Sequence, residues 1–196
     1  TAAFRRRIEA VVSRGMRKRH VVAAGVRHAP ISCATRLVPP ATVRTDPAMH
    51  SRRSALGTRS HCRRVASQVS ELVRGLAIDL AARRPRLRKA QVRRKGLGDF
   101  VTALDLRAER TLRRELHALV PAAGFLGEET APLALDRALV WVVDPIDGTS
   151  NFAAGLPHHA IAVALLENGA PLLAVAHCLP EDATYIAVAG AGVRRA

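Results

Sequence analysis

From Val65 onward, apolar residues recur at Val65, Val69, Leu72, Val73, Leu76 and Leu80. That single stripe has the spacing of a helix and is expected to end before Pro85. A second stripe, Ala108, Leu112, Leu116 and Leu119, predicts a helix following Asp105, with the Asp105 carboxylate as N-cap acceptor and Pro121 as the stop. The period then changes. Gly124 to Leu126, Ala138 to Val143, Ala160 to Leu166, Pro171 to His177 and Thr184 to Ala189 are short apolar runs of strand type. Asn168-Gly169 suits a tight type I′ hairpin turn, and Pro180-Glu181-Asp182 marks the next reversal. Two helices followed by hairpin-connected strands predict an α+β fold, a helix layer packed on a largely antiparallel sheet.

Residues 1 to 64 have no sustained periodicity, and Pro30, Pro39, Pro40 and Pro47 interrupt any regular element. They are expected to form a basic, disordered arm ahead of one folded unit at 65 to 196. The net charge of +15 divides accordingly: residues 1 to 64 hold 15 Lys and Arg against 2 acids, so basicity belongs to the arm. With one aromatic, Phe4, and no base-reading motif, the arm is suited only to nonspecific, salt-sensitive contact with a polyanion. No apolar run approaches the ~18 to 20 residues that cross a bilayer. Cys33, Cys62 and Cys178 are odd in number and widely spaced, which argues against a disulfide framework or a zinc site and for free thiols in the cytoplasm.

The chemistry concentrates in three acidic segments. Trp141 to Phe152 carries Asp144-Pro145-Ile146-Asp147-Gly148-Thr149-Ser150, in which the proline makes Asp144 extended and Gly148 permits a sharp turn. Asp144, Asp147 and the Ile146 carbonyl are thereby expected to converge on one pocket, while Gly148, Thr149 and Ser150 offer backbone N–H groups to a phosphate. Sixteen residues before Asp144 stands Gly127-Glu128-Glu129, and earlier still Asp99 to Asp105 ends in another carboxylate. Hard oxygen donors grouped in this way suit magnesium, and magnesium suits phosphate ester hydrolysis. Alone, an Asp-Gly is usually a turn and a Gly-Glu-Glu usually a solvated loop.

Taken together and in this order, the three segments resemble the inositol monophosphatase family of magnesium-dependent phosphatases over roughly Val65 to Gly192. The resemblance implies the first part of a layered helix and sheet sandwich. It implies two or three Mg2+ ions, with Glu128, Asp144 and the Ile146 carbonyl on the first and Asp144 and Asp147 on the second. Glu128 with Thr149 would activate water, and Asp105 would support them. Asp147, Gly148, Thr149 and Ser150 would meet the substrate, Lys95 would balance the acids, and Glu129 would support rather than ligate. The expected reaction is hydrolysis of a small polyol phosphate such as inositol monophosphate; histidinol phosphate, fructose bisphosphate and phosphoadenosine phosphate are alternatives within related families. A homodimer is expected of a complete protein. The family's later Trp-Asp motif has no match, since the only Trp is Trp141 and no Asp follows Asp182. A shortened, catalytically impaired member is therefore the competing expectation. His158 and His159, adjacent after Pro157, and His177 are expected to be structural, because no metal-ligand companions accompany them.

Overall fold

The computed structural model describes residues 2–17, 54–86, 92–96 and 99–196. Two helices lead: α1 (Ala2–Arg17) and α2 (Arg59–Arg83), the second running into a single 3-10 turn, Arg84–Arg86, that contains Pro85. A hairpin of β1 (Val92–Gly96) and β2 (Asp99–Thr102) precedes α3 (Ala103–Leu119). Then come β3 (Gly124–Gly127), β4 (Leu139–Asp147), the short helix α4 (Thr149–Ala154), β5 (Ala160–Glu167), β6 (Ala170–Cys178), β7 (Ala183–Val188) and β8 (Gly192–Arg195).

Strands β3 to β8 form one sheet in chain order, with β3 and β4 parallel and every other pair antiparallel. The expected helix layer on a largely antiparallel sheet is what the fold shows. Asn168 and Gly169 both take positive φ, 50° and 80°, as a type I′ turn between β5 and β6 requires. Burial alternates along β5 and β6, so one face is dry. That face, with Trp141, Val143, Val163, Leu165, Leu173, Val175 and Ile186, packs against the apolar stripes of α2 and α3.

Two expectations need correction. Asp105 is not the N-cap of α3. Thr102 is, its hydroxyl accepting from the N–H of Leu104 (3.1 Å) and Asp105 (3.4 Å) while Asp105 Oδ2 accepts from the Thr102 N–H at 2.8 Å, a reciprocal capping box. Nor do all of residues 1 to 64 lack regular structure. Phe4 and Val11 of α1 are buried with Leu126, Val140 and Leu166, one to two turns apart on a single helix stripe that the run of arginines hides in the sequence. Thr58 caps α2, which begins at Arg59, six residues ahead of the expected start at Val65, and Leu56 and Cys62 join the main core. Residues 18–53 lie outside the described residues.

Helix α3 is held to the sheet chiefly by Leu112 and Leu116, both fully buried. Leu112→Ala is expected to lower unfolding stability by about 3 kcal/mol, the usual cost of a core leucine cavity, as read by urea denaturation.

Candidate active site

The parallel pairing of β3 with β4 places the first two acids. Gly127 stands opposite Val143 in register, so the next residues along the chain, Glu128 and Asp144, are neighbours across strands spaced ~4.8 Å apart. The Asp144–Asp147 interval poses a different problem. In a regular strand, residues three apart point to opposite faces. Here Asp144 faces Ala162 and Asp147 faces Ala160, three steps on β4 against two on β5. The extra residue is a β-bulge, which restores a common side for the two aspartates. Pro145, which has no N–H to give the ladder, sits within it. The sharp turn expected at this motif is thus a bulged end of β4, and the reversal comes one residue later at Gly148. Gly148 has φ of 82°, and a Cβ there would meet the His158 carbonyl oxygen at 2.5 Å, so only glycine fits.

Helix α4 starts at Thr149, whose hydroxyl lies 2.9 Å from the Ile146 carbonyl oxygen and 3.0 Å from Asp105 Oδ1. This ties the end of β4 to the start of α3. Asp105 is buried, Thr149 half-buried, and Asp147 and Ser150 exposed to solvent. Lys95 and Asp99 belong to β1 and β2, and their side chains lie outside the described residues.

Electrostatics binds the acids further. Burial pushes the Asp144 carboxyl up to about 8, and the nearby charges of Glu128 and Asp147 and a hydrogen bond with Glu128 raise it in the same direction. Burial also lifts Asp105 above the usual carboxylate range, against hydrogen bonds from Thr102 and Thr149 that hold it down. Among the described residues, no group of three or more His, Cys, Asp or Glu side chains is already gathered as around a metal ion. Asp144 and Glu128 are instead bridged by a hydrogen bond, the arrangement two carboxyls adopt when a proton stands between them. The raised Asp144 marks a buried carboxyl with further acids beside it, and the donors are all hard oxygens. Both properties fit a magnesium ion.

Sequence reasoning missed Glu109. It is fully buried on α3, and its carboxylate accepts from the backbone N–H of Glu129 (2.7 Å) and of Thr130 (2.8 Å). An acid in an arginine-rich helix reads as a surface ion-pair partner; its position one turn after Asp105 was the available signal. Two of the histidines are hydrogen-bonded inside the fold. His158 is exposed, while His159 is buried with Nδ1 3.0 Å from the Leu156 carbonyl oxygen and its ring edge-on to Phe152. His177 Nδ1 lies 2.9 Å from Thr184 Oγ1. Burial keeps both of the latter below the ordinary histidine value. Among the described residues, Cys62 and Cys178 form no disulfide.

A profile of the inositol monophosphatase family matches residues 61–195. The chain belongs to the inositol monophosphatase family. An inositol-1-monophosphatase of Rhizobium meliloti (strain 1021) is 46% identical over 103 residues, which are 52% of this chain and 39% of that protein. The Nus factor SuhB of Xylella fastidiosa (strain Temecula1) is 37% identical over 107 residues, 55% of this chain and 38% of that one. Among solved structures, an IMPase of Thermotoga maritima superposes with a TM-score of 0.60 at 32% identity, covering 66% of this chain and 50% of its own. The suhB protein of Bartonella henselae gives 0.60 at 30% identity, covering 68% and 50%. This inositol monophosphatase family chain thus spans about half the length of the solved relatives and under two-fifths of these two curated ones. Among the described residues, no helix is long and apolar enough to cross a membrane.

Proposed function

We propose that this family member serves hydrolysis of a small phosphate monoester, inositol monophosphate or a similar polyol phosphate, with magnesium held by Glu128, Asp144, Asp147 and the Ile146 carbonyl oxygen. What supports the reading is the placement of Glu128 beside Asp144 at the ends of two parallel strands, where burial first, and then the charges of Glu128 and Asp147, raise Asp144 to about 8. The names of relatives as similar as the Rhizobium inositol-1-monophosphatase support the substrate class.

When bound, magnesium lowers the pKa of a coordinated water and neutralises charge on phosphoryl oxygens. The residues of the chain do the rest. Glu128, half-buried beside Asp144, accepts a proton from the attacking water, with the Thr149 hydroxyl orienting that water from the other strand end. Asp105 holds Thr149 in place through the 3.0 Å contact. The first-turn N–H groups at Gly148, Thr149 and Ser150 receive the phosphate, whose approach is open because Asp147 and Ser150 face solvent.

The test is phosphate release from inositol 1-phosphate with and without magnesium, read beside a calorimetric magnesium titration of the same protein. Release that requires magnesium, with saturable binding, is expected. Binding without release would withdraw hydrolysis and leave the metal site; neither would withdraw both.

A further inference from the structure

We infer that Glu109 is a positioning residue that fixes Glu128 against Asp144, an inference that rests on the metal reading above. The Glu109 side chain is wholly buried, and its two oxygens are each used: Oε2 accepts from the N–H of Glu129 and Oε1 from the N–H of Thr130. On the other side of Glu128, a Cβ on Gly127 would overlap the Glu109 carboxylate, so the strand end passes against this group with no room for a side chain. One carboxylate thus touches residues 127, 129 and 130 and leaves the intervening Glu128 side chain as the part of the segment directed elsewhere, to its hydrogen bond with Asp144.

The placement of Glu109 on α3 gives that hold its meaning. Asp105 lies one turn earlier, ~6 Å along the axis, on the same side of the helix. Asp105 holds Thr149 at the end of β4, and Glu109 holds the segment after β3. A rigid helix face therefore spaces the two acid-bearing strand ends, where a loop alone would let Glu128 drift. A buried carboxylate needs its full set of hydrogen-bond donors, so each backbone N–H is bound to the geometry as firmly as the carboxylate is to its burial. Glu109 itself touches neither Asp144 nor Asp147 through any hydrogen bond found here, and its effect is transmitted through the backbone around Glu128.

Glu109→Gln is the decisive variant, because the amide keeps size and one acceptor oxygen but turns an N–H toward the second backbone N–H. Magnesium affinity, titrated calorimetrically on the full chain, is expected to fall about 10- to 100-fold, as for residues that orient metal ligands. In the metal-free chain, amide hydrogen exchange at Glu129 and Thr130 is expected to speed up while β5 to β7 keep their protection. A staple with no role at the site would move the exchange and leave the affinity unchanged; that result, or unchanged exchange at both amides, overturns the inference. Should Glu109→Gln not fold, Gly127→Ala displaces the same carboxylate and is read by the same two measurements. A wild-type chain that takes up no magnesium overturns the metal reading and this role with it, whereas wild-type affinity in Glu109→Gln overturns this role alone.

Discussion

Asp144→Asn is expected to abolish magnesium-dependent turnover and weaken magnesium binding at least 100-fold, yet to leave the metal-free chain as stable as before or more so. The two halves of this expectation have one cause. In the absence of a cation, Asp144 is a buried acid next to two others, raised to about 8. Near neutral pH it already carries a proton, so a carboxamide of the same shape removes little from the fold. Above pH 8 the ionised carboxylate repels Glu128 and Asp147, and asparagine relieves that repulsion. A site suited to a divalent cation is thus a local burden on the empty protein, the usual exchange of stability for function. Thermal melts at pH 6 and pH 9, with and without magnesium, check this. A variant that loses several kcal/mol without metal at pH 6 would show that Asp144 acts mainly in folding.

The pH dependence of the unmutated chain is the second large effect. The folded value of about 8 lies above the ordinary 3.8, so the folded state binds the Asp144 proton more tightly than the unfolded chain does. Stability from this group is therefore fully present below about pH 4 and lost as pH rises through about 8, with a limiting slope of about 1.4 kcal/mol per pH unit. Magnesium must displace the same proton. Its affinity is expected to rise about tenfold per pH unit up to about 8 and then level, with about one proton released per ion bound below that point. Titration in two buffers of different ionisation enthalpy reads the proton count directly. An affinity independent of pH between 6 and 8 would mean that Asp144 is not a ligand.

The elements that could be read in the sequence are those whose burial has one period. The stripes of α2 and α3 and the alternating runs of β5 to β7 answer mainly to one dry face, while β3 and β4, covered on both sides, read as short continuous apolar runs. The β8 strand could not be read, because Gly192–Arg195 is an exposed edge with no apolar residue facing a core. Helix α1 was hidden by its own arginines, and the parallel sense of β3 and β4 was hidden because residues 128–138 join them without a helix, the usual mark of a crossover. At the site, the carboxylates stand out in the motif, but the bulge and the buried partner around them do not. The bulge in β4 and the grip of Glu109 both depend on partners remote in the chain, Ala160 to Ala162 for one and Glu129 to Thr130 for the other. No local propensity encodes either.

The irregularity in β4 also bears on what lengths of chain this motif tolerates. Because Asp144 and Asp147 are separated by an odd number of steps, their agreement in direction is a matter of parity: the one extra residue on β4 offsets the odd step. Deleting Ile146 would make the interval even and the ladder regular, keeping Asp147 on the same side as Asp144 but removing the carbonyl oxygen that meets the Thr149 hydroxyl.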